Sequence, residues 1–286
     1  MRQDFSDAAL VLLGHGTTLN ADSAAPVYQH AAELRDRKVF AEVREAFWKQ
    51  TPSIKEVMMQ LSGRRVFIVP LFISEGYFSE EIIPKELGFR SGGAGEWSRS
   101  LRRGNQTFFY CKPVGTHDKM TEVLLARARD VVSKFPFPRA PRLEDTTLLI
   151  AGHGTEQNEN SRKAIERQAD LIRSLKTYAA VQAIFLDEEP RISEWHQFVK
   201  TRNAIVVPFF ISDGLHTRED IPVLLGEPGR LVRQRLETGQ ATWRNPTEKK
   251  GKLVWYSSAV GSEPCLAEVI LDRVQEAAVD LQDPSP

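Results

Sequence analysis

The sequence predicts an α/β fold of two tandem homologous domains, each with a mostly parallel four-stranded sheet flanked by helices. Two observations lead to this prediction: the second half of the chain repeats the first, and each repeat alternates apolar β-rich runs with amphipathic stretches. A repeat this long is typical of duplicated domains rather than of a solenoid. At 286 residues and 41% hydrophobic content, the chain is long enough to form a core in each half.

The repeat is clearest in three pairs of segments. "VPLFISEGYFSEEIIP" matches "VPFFISDGLHTREDIP", and "LLGHGTTLN" matches "IAGHGTEQN". Gly14 corresponds to Gly152, and the same spacing relates the two proline-ended segments, so the copies align there without a gap. Further along, "YCKPVGTHDKMTEVLLARA" matches "YSSAVGSEPCLAEVILDRV". This order of matches indicates that one ancestral unit is present twice.

Four apolar runs in each repeat are predicted to be strands. They are "ALVLLGHG", "EVREAFW", "RVFIVPLFI" and "TFFYCKP" in the first repeat, and "TTLLIAGHG", "AVQAIFL", "NAIVVPFFI" and "KLVWYSSAV" in the second. Near-continuous apolar runs predict strands buried on both faces, joined by helical crossovers. The proline-rich segment "KFPFPRAPRLED" predicts a linker, which gives an N-terminal domain at 1–137 and a C-terminal domain at 138–286.

Composition argues against several function classes. A net charge of zero gives no electrostatic basis for binding nucleic acid. Two cysteines without a C-x-x-C spacing predict neither a disulfide framework, nor a cysteine zinc site, nor an iron–sulfur cluster. The N-terminus lacks the apolar region of a signal peptide, and no apolar run approaches the length of a membrane span. We therefore expect a cytoplasmic protein without a membrane partner.

Histidines follow predicted strands at places where ligands of α/β proteins bind. In open α/β sheets, ligands bind beyond the carboxyl ends of the strands. The two "GHGT" motifs place His15 and His153 after the first strand of each repeat. Flanking glycines, Gly152 and Gly154 in the second repeat, let a ligand approach the backbone closely. The alternative is that each "GHG" is a turn whose histidine caps the following helix.

The second repeat adds two further groups at the same predicted edge. His216 lies just beyond Gly214 after the third strand, and Asp187 and Glu188 follow the second strand. Two imidazoles and a carboxylate suit a divalent first-row ion such as Co²⁺, Ni²⁺, Fe²⁺ or Zn²⁺. A set of three ligands also leaves coordination positions open for a substrate.

The corresponding strand ends of the first repeat carry different side chains. They deliver His15, Lys49 and Phe78, so the set found in the second repeat is not complete there. The other histidines, His30, His117 and His196, are interpreted as ordinary surface or packing residues.

Two basic segments, 88–105 and 226–251, follow the third-strand motif of each repeat. Both combine glycine, tryptophan and several cationic residues with few acids. One interpretation is a cationic lid over a planar polyanionic ligand, in which arginine pairs with carboxylates and tryptophan packs on an apolar face. The other interpretation is a solvated insertion, and the sequence leaves both open.

Together, the "GHGT" motifs, the strands before "PSI" and "PRI", the segment "VPFFISDGLHTREDIP" and the "PVG" segment resemble the class II tetrapyrrole chelatases. The resemblance is closest to the long, two-domain form of the sirohydrochlorin cobalto- and ferrochelatases of the CbiX/SirB type. It implies a lyase that inserts Co²⁺ or Fe²⁺, with Ni²⁺ a further candidate, into sirohydrochlorin or a related polycarboxylate tetrapyrrole. It implies no ATP and no organic cofactor, and a place in cobalamin or siroheme biosynthesis.

The resemblance also implies roles for particular residues. His153 and His216 would bind the metal and face the macrocycle, with Asp187 as the carboxylate and Glu188 as its competitor. One chain that holds both halves is compatible with a monomer. The alternative function is a non-catalytic tetrapyrrole- or metal-binding protein derived from a chelatase.

In the first repeat, Phe78 replaces the third-strand histidine of the family. We expect Phe78, Tyr77 and His15 to contact the macrocycle, as we expect of Gly152, Gly154 and Gly214 in the second repeat.

Overall fold

The computed structural model describes residues 4–17, 23–90, 97–154 and 159–279. These ranges form two sheets flanked by helices, which confirms the predicted α/β class and the duplication. The strands of the first repeat are β1 (Ala8–Gly14), β2 (Glu42–Phe47), β3 (Arg65–Pro70), β4 (Ser100–Arg103) and β5 (Gln106–Tyr110). Those of the second are β6 (Thr146–Gly152), β7 (Ala180–Phe185), β8 (Asn203–Pro208), β9 (Thr247–Lys249) and β10 (Lys252–Tyr256).

Nine α-helices occur within the described residues, and they lie mainly between the parallel strands. They are α1 (Ala25–Asp36), α2 (Ile54–Gln60), α3 (Ile83–Glu86), α4 (Met120–Lys134), α5 (Glu159–Ser174), α6 (Trp195–Phe198), α7 (Ile221–Leu224), α8 (Gly229–Glu237) and α9 (Leu266–Val279). None of the helices in these ranges has both the length and the apolar character that a membrane span requires.

Both sheets have the same strand order, which is β2-β1-β3-β5-β4 in the first and β7-β6-β8-β10-β9 in the second. Four strands of each sheet run parallel, and β4 and β9 are antiparallel to their neighbours. Each sheet therefore has five strands and not the predicted four. The additional strands, "SLRR" and "TEK", are short, polar edge strands, so no apolar run marks them in the sequence.

The first strand of each repeat, β1 or β6, is buried along its whole length. Every residue of β1 and of β6 is buried, as the near-continuous apolar runs predict. Aliphatic side chains of β1 and β3 pack against α2 and α3 on one face of the first sheet. A matching cluster forms in the second half around β6 and β8. Equivalent elements thus form the core of each half.

The basic segment 226–251 is an ordered element that contains α8 and β9. Glu227 is almost fully buried and pairs with Arg235 at 3.1 Å and with Lys249 at 3.0 Å. Trp243 is buried and belongs to the core cluster of the second half. The other basic segment, 88–105, contains β4, and its residues 91–96 lie outside the described residues.

Each third strand leads into a single π-helical turn, at Phe78–Ile82 in the first half and His216–Asp220 in the second. A buried hydroxyl anchors each turn: Ser79 accepts from the backbone N–H of Gly76, and Thr217 donates to the carbonyl of Gly214. Such turns are frequent at functional sites because they redirect side chains relative to an α-helix. Here they set the direction of the residues that follow β3 and β8.

The chain divides into two compact units. Their limits differ from the predicted boundary between residues 137 and 138. Unit 1 comprises residues 1–117 with 264–286, and unit 2 comprises residues 118–263. Helix α4, which ends the first repeat, packs against β8, β10 and α5, whereas α9 packs against β3 and α1. The last helix of each repeat therefore belongs to the sheet of the other repeat, which sequence similarity does not reveal.

Equivalent buried arginines fix these two helices. In unit 1, Arg273 of α9 donates to the carbonyl of Pro113 and to the hydroxyl of Thr116, both at 2.8 Å. In unit 2, Arg127 of α4 donates to the hydroxyl of Ser262 at 2.8 Å. Each arginine thus satisfies polar groups of the turn that follows the fourth parallel strand.

Candidate active site

The carboxyl ends of β6 and β7 meet at one edge of the second sheet. Gly152, the last residue of β6, pairs with Phe185, the last residue of β7. His153 and Asp187 therefore leave neighbouring strands at nearly the same level, and the backbone N–H of Asp187 donates to the carbonyl of His153 at 3.2 Å. The structure thus brings these two predicted residues together.

The glycines around His153 are required by packing. Gly154 has a φ of +65°, and a Cβ there would lie 2.6 Å from Glu188 and 2.9 Å from the Cβ of Phe185. A Cβ at Gly152 would lie 2.0 Å from Ile165 of α5. By contrast, a Cβ at Gly214 would meet no atom within 4 Å. Contact of these glycines with a macrocycle stays a prediction.

The hydrogen bonds of His153 define its tautomer. Its Nδ1 lies 2.9 Å from the carbonyl oxygen of Gly154 and 3.2 Å from Oδ2 of Asp187. Both oxygens are acceptors, so Nδ1 carries the hydrogen and donates it. The lone pair of the neutral ring is then on Nε2, which is the atom available to a metal ion.

His216 is oriented in the same way by a different carboxylate. Its Nδ1 lies 2.7 Å from Oδ2 of Asp220, one π-helical turn further along the chain. This carboxylate holds the hydrogen on Nδ1 and leaves Nε2 as the lone-pair nitrogen. The rings of His153 and His216 are 4.9 Å apart between centroids and nearly perpendicular. Unit 2 therefore presents two adjacent imidazoles, each supported by a carboxylate.

The two candidate carboxylates after β7 have different surroundings. Asp187 contacts the Nδ1 side of His153, opposite the nitrogen that would bind a metal. Glu188 is largely buried, and its carboxylate pairs with Arg162 at 3.1 Å. The geometry therefore describes Asp187 as a support for His153 and engages Glu188 elsewhere.

A cavity of about 500 Å³ lies over the two imidazoles in unit 2. It is lined by His153, Leu186, Asp187, His216, Glu219, Asp220, Val223, Leu224, Gly229 and Arg233. Gly229 and Arg233 come from α8, so the basic segment 226–251 contributes directly to this cavity. The walls combine apolar side chains with a guanidinium and carboxylates, which suits a ligand with an apolar body and charged groups.

Within the described ranges, no three His, Cys, Asp or Glu side chains are arranged to hold a metal ion. In unit 2, Asp187 and Asp220 each contact the Nδ1 side of an imidazole. Two Nε2 atoms at one edge are nevertheless a donor set that first-row divalent ions prefer, with further positions left for water or substrate.

The equivalent edge of unit 1 is aromatic. His15 has the same Nδ1 contact to the next carbonyl, at 2.9 Å from Gly16. Its ring lies 5.4 Å from that of Trp48 and 5.3 Å from that of Phe78. Burial lowers the pKa of His15, and the nearby Lys49 charge lowers it further. This edge therefore offers one neutral imidazole between two apolar rings.

Asp220 and Arg233 belong to the site edge of unit 2, but they were not predicted from the sequence. Asp220 could have been found in "HTRED", where it follows His216 by four residues, because this spacing places side chains on one face of a helical turn. Its counterpart in the first repeat is Ile82, so the histidine and its carboxylate are both replaced there. Arg233 has no such signal, because nothing in the sequence links α8 to the strand ends.

The duplicated α/β scaffold is that of known chelatases. It is similar to the structure of SirB from Bacillus subtilis with Fe³⁺, with a TM-score of 0.68 over 96% of this chain and 97% of that one, at 16% identity. A multi-domain protein from Deinococcus radiodurans, described as structurally similar to chelatases, gives a TM-score of 0.74 at 28% identity. The match covers 96% of this chain and 55% of that protein, so this chain spans about half its length. The chain therefore has the fold of the chelatases.

The chain belongs to the CbiX family, which matches residues 9–131 and again residues 147–277. It is 42% identical over 285 residues to a probable sirohydrochlorin cobaltochelatase of Halobacterium salinarum, covering 96% of this chain and 93% of that relative. A sirohydrochlorin cobaltochelatase of Methanopyrus kandleri is 27% identical over 138 residues, and the match covers 46% of this chain and 95% of that relative. These relatives confirm the resemblance to chelatases and the expectation of a chelatase-type enzyme.

Proposed function

We propose that this protein inserts a divalent metal ion, Co²⁺ in preference to Fe²⁺ or Ni²⁺, into sirohydrochlorin or a related polycarboxylate tetrapyrrole, without ATP. The observation that carries this proposal is the pair of imidazoles, His153 and His216, beside a cavity of about 500 Å³ in unit 2. The 42% identical relative named as a probable sirohydrochlorin cobaltochelatase supports cobalt and this macrocycle. A role in cobalamin biosynthesis follows from the same proposal, with siroheme biosynthesis as the route if iron is used.

The metal ion is a substrate of this reaction, and the Nε2 atoms of His153 and His216 are its ligands in the proposal. Asp187 and Asp220 hold the two rings by their Nδ1 hydrogens. Such supporting carboxylates fix the orientation of a ligating imidazole and raise its basicity. Asp187 can reach the metal itself only if its side chain leaves His153. Glu188 would first have to leave Arg162.

The same two nitrogens can take up the protons that the reaction releases. Insertion breaks two pyrrole N–H bonds and forms bonds from the macrocycle nitrogens to the metal, so two protons must leave. When the ion moves into the ring, the Nε2 lone pairs of His153 and His216 become free and each accepts one proton. Asp187 and Asp220 stabilise the resulting imidazolium ions, which then lose their protons to water. The charge at the edge is the same before and after the exchange.

The cavity walls provide contacts for the macrocycle. Leu186 and Val223 offer apolar surface. Arg233 of α8 offers a guanidinium, and its distance of 3.8 Å to the carboxylate of Glu219 is long for an ion pair. Arginine matches a carboxylate geometrically, so Arg233 would pair with a peripheral carboxylate of the tetrapyrrole. This assignment gives the basic segment 226–251 a role in substrate binding.

The experiment is an anaerobic insertion assay with sirohydrochlorin and Co²⁺, Fe²⁺ or Ni²⁺, followed by the absorption spectrum of the macrocycle. We expect His153→Ala to reduce the rate of cobalt insertion by at least about 100-fold, because it removes a metal ligand and proton acceptor. His196→Gln is the matched control, since His196 lies on α6 and does not line the cavity.

Two outcomes would contradict the proposal. Insertion by His153→Ala at the wild-type rate would show that the imidazole pair is not the site. Binding of sirohydrochlorin by the wild-type protein without any change to a metallated spectrum would favour the alternative function, a non-catalytic tetrapyrrole-binding protein.

A further inference from the structure

Arg162 of α5 bonds two successive residues of the loop that follows β7. Its Nη1 donates to Oε2 of Glu188 at 3.1 Å and to the backbone carbonyl of Glu189 at 3.0 Å. The residue before them in the chain is Asp187, whose Oδ2 lies 3.2 Å from Nδ1 of His153. One guanidinium therefore joins α5 to the segment that carries the carboxylate support of His153.

Two further contacts fix the guanidinium of Arg162 itself. Its Nε donates to Oε1 of Glu166, one helical turn further along α5, at 2.8 Å. Its central carbon lies 5.2 Å from the centre of the ring of Phe185, the last residue of β7. Charge-assisted hydrogen bonds and cation–π contacts both depend on orientation. The position of Arg162, and with it that of the loop, is therefore set by α5 and by β7.

The first repeat has neither partner of this ion pair. Ala24 stands where unit 2 has Arg162, and Gln50 stands where unit 2 has Glu188. The same loop of unit 1 carries Lys49 in place of Asp187, so it has no carboxylate at that position to support its histidine. The ion pair thus occurs in the repeat that also has the supporting carboxylate. A pair required by the scaffold alone would be expected in both copies.

We propose that Arg162 is a positioning residue for metal binding, because it holds the loop after β7 so that Asp187 stays at the Nδ1 hydrogen of His153. This inference rests on the proposed function for the identity of the metal site. The side chain of Asp187 is 61% exposed, so packing around it does not hold it in place. The restraint comes from its chain neighbours, since the side chain of Glu188 is only 17% exposed and pairs with Arg162.

The test is calorimetric titration of the full-length protein with Co²⁺ in the absence of a macrocycle. We expect Arg162→Met to weaken Co²⁺ binding by about 10-fold, the lower end of the loss that follows when a ligating histidine loses its support. Arg167→Met is the matched control, because Arg167 lies on the same helix and pairs with Asp118 at 2.7 Å. The Co²⁺ affinity of this control should stay within about 2-fold of wild type.

A double-mutant cycle distinguishes positioning from a general effect on the fold. In an Asp187→Ala background, Arg162→Met should change the Co²⁺ affinity by less than about 2-fold, because the residue through which it acts is gone. In an Asp220→Ala background the loss of about 10-fold should remain, since Asp220 supports the other imidazole, that of His216. Equal losses in both backgrounds, or no loss in the single variant, would overturn the inference.

A second variant removes the carboxylate that Arg162→Met leaves without its partner. In Arg162→Met with Glu188→Met both side chains are uncharged, so the midpoint of urea unfolding should stay near that of the wild type. The loss of Co²⁺ affinity should persist, because the loop is still detached from α5. Recovery of the wild-type Co²⁺ affinity would refute the inference, because the unpaired carboxylate and not the position of the loop would then have caused the loss.

Metal titration and the insertion assay separate this inference from the proposed function. Arg162→Met should raise the KM for Co²⁺ and leave the KM for sirohydrochlorin within about 2-fold, because Arg162 is not among the described residues that line the cavity. The expected coupling to Asp187 in a protein that inserts no metal would refute only the proposed function. Insertion of cobalt by a protein whose Arg162→Met variant binds Co²⁺ as the wild type does would refute only this inference.

Discussion

The two halves of this chain share a scaffold and differ at one edge of it. Both have the same strand order, a buried first strand, a "GHG" turn and a π-helical turn after the third strand. In unit 2 the edge carries His153 and His216, whereas in unit 1 it carries His15 and Phe78. Polar chemistry is thus concentrated at one strand edge, and aromatic surface at the other.

The residues that differ between the two edges include pairs that contact each other in unit 2. His216 and its carboxylate Asp220 are replaced together, by Phe78 and Ile82, and Asp187 is replaced by Lys49. A histidine without its carboxylate loses the contact that orients its ring. A carboxylate next to aromatic rings, without the histidine, loses solvation that no partner replaces. We therefore expect the replaced residues to act as sets.

The largest effect is expected when unit 2 receives the residues of unit 1. The double variant His216→Phe with Asp220→Ile should lose at least about 100-fold in the rate of cobalt insertion, because the proposed metal ligand and proton acceptor is removed. Both side chains are about half exposed, so the folded state should survive. The initial rate and the midpoint of urea unfolding measure the two effects, and a rate within 3-fold of wild type would refute the assignment.

A smaller effect is expected from the supporting carboxylate alone. Asp220→Ala should weaken Co²⁺ binding by about 10- to 100-fold, because the Nδ1 hydrogen of His216 loses its acceptor and the ring its fixed orientation. In a His216→Phe background the same substitution should have almost no further effect, because the two residues act as one unit. Calorimetric titration with Co²⁺ measures both constants, and equal losses in the two backgrounds would show that Asp220 acts independently of His216.

The smallest difference between the halves is expected for substitutions in the scaffold that both halves have, because their effects on stability should be similar. A Cβ at Gly115 would lie 2.0 Å from the carbonyl oxygen of Ile73, and one at Gly261 would lie 1.8 Å from that of Ile211. Each Gly→Ala variant should therefore destabilise the fold by about 1–3 kcal/mol, because the backbone must move apart. Urea unfolding of both variants measures the effect, with Gly214→Ala as the control, since a Cβ there meets nothing within 4 Å. A stability equal to that of the control at either site would contradict the shared role.

Most of the fold was predictable because it depends on local pattern. The buried runs "ALVLLGHG" and "TTLLIAGHG" formed the first strand of each sheet as predicted, and every predicted strand is present. Short polar edge strands such as "SLRR" escaped prediction because their backbone pairing requires no apolar side chains. The packing of α4 on the second sheet and of α9 on the first also escaped prediction, because the similarity of the two repeats does not tell which sheet each helix contacts.

The sequence by itself determined which residues reach the site edge. A parallel sheet brings the ends of its strands to one edge, so motif position was sufficient to bring His153, Asp187 and His216 together. Only the tertiary structure decided which atoms of these residues face one another. Side-chain torsions and neighbours placed Asp187 on the Nδ1 side of His153, paired Glu188 with Arg162, and assigned Asp220 to His216. The contacts of Asp187 and Glu188 join residues far apart in the chain, which no spacing in the sequence specifies, whereas the four-residue spacing of His216 and Asp220 already allowed theirs.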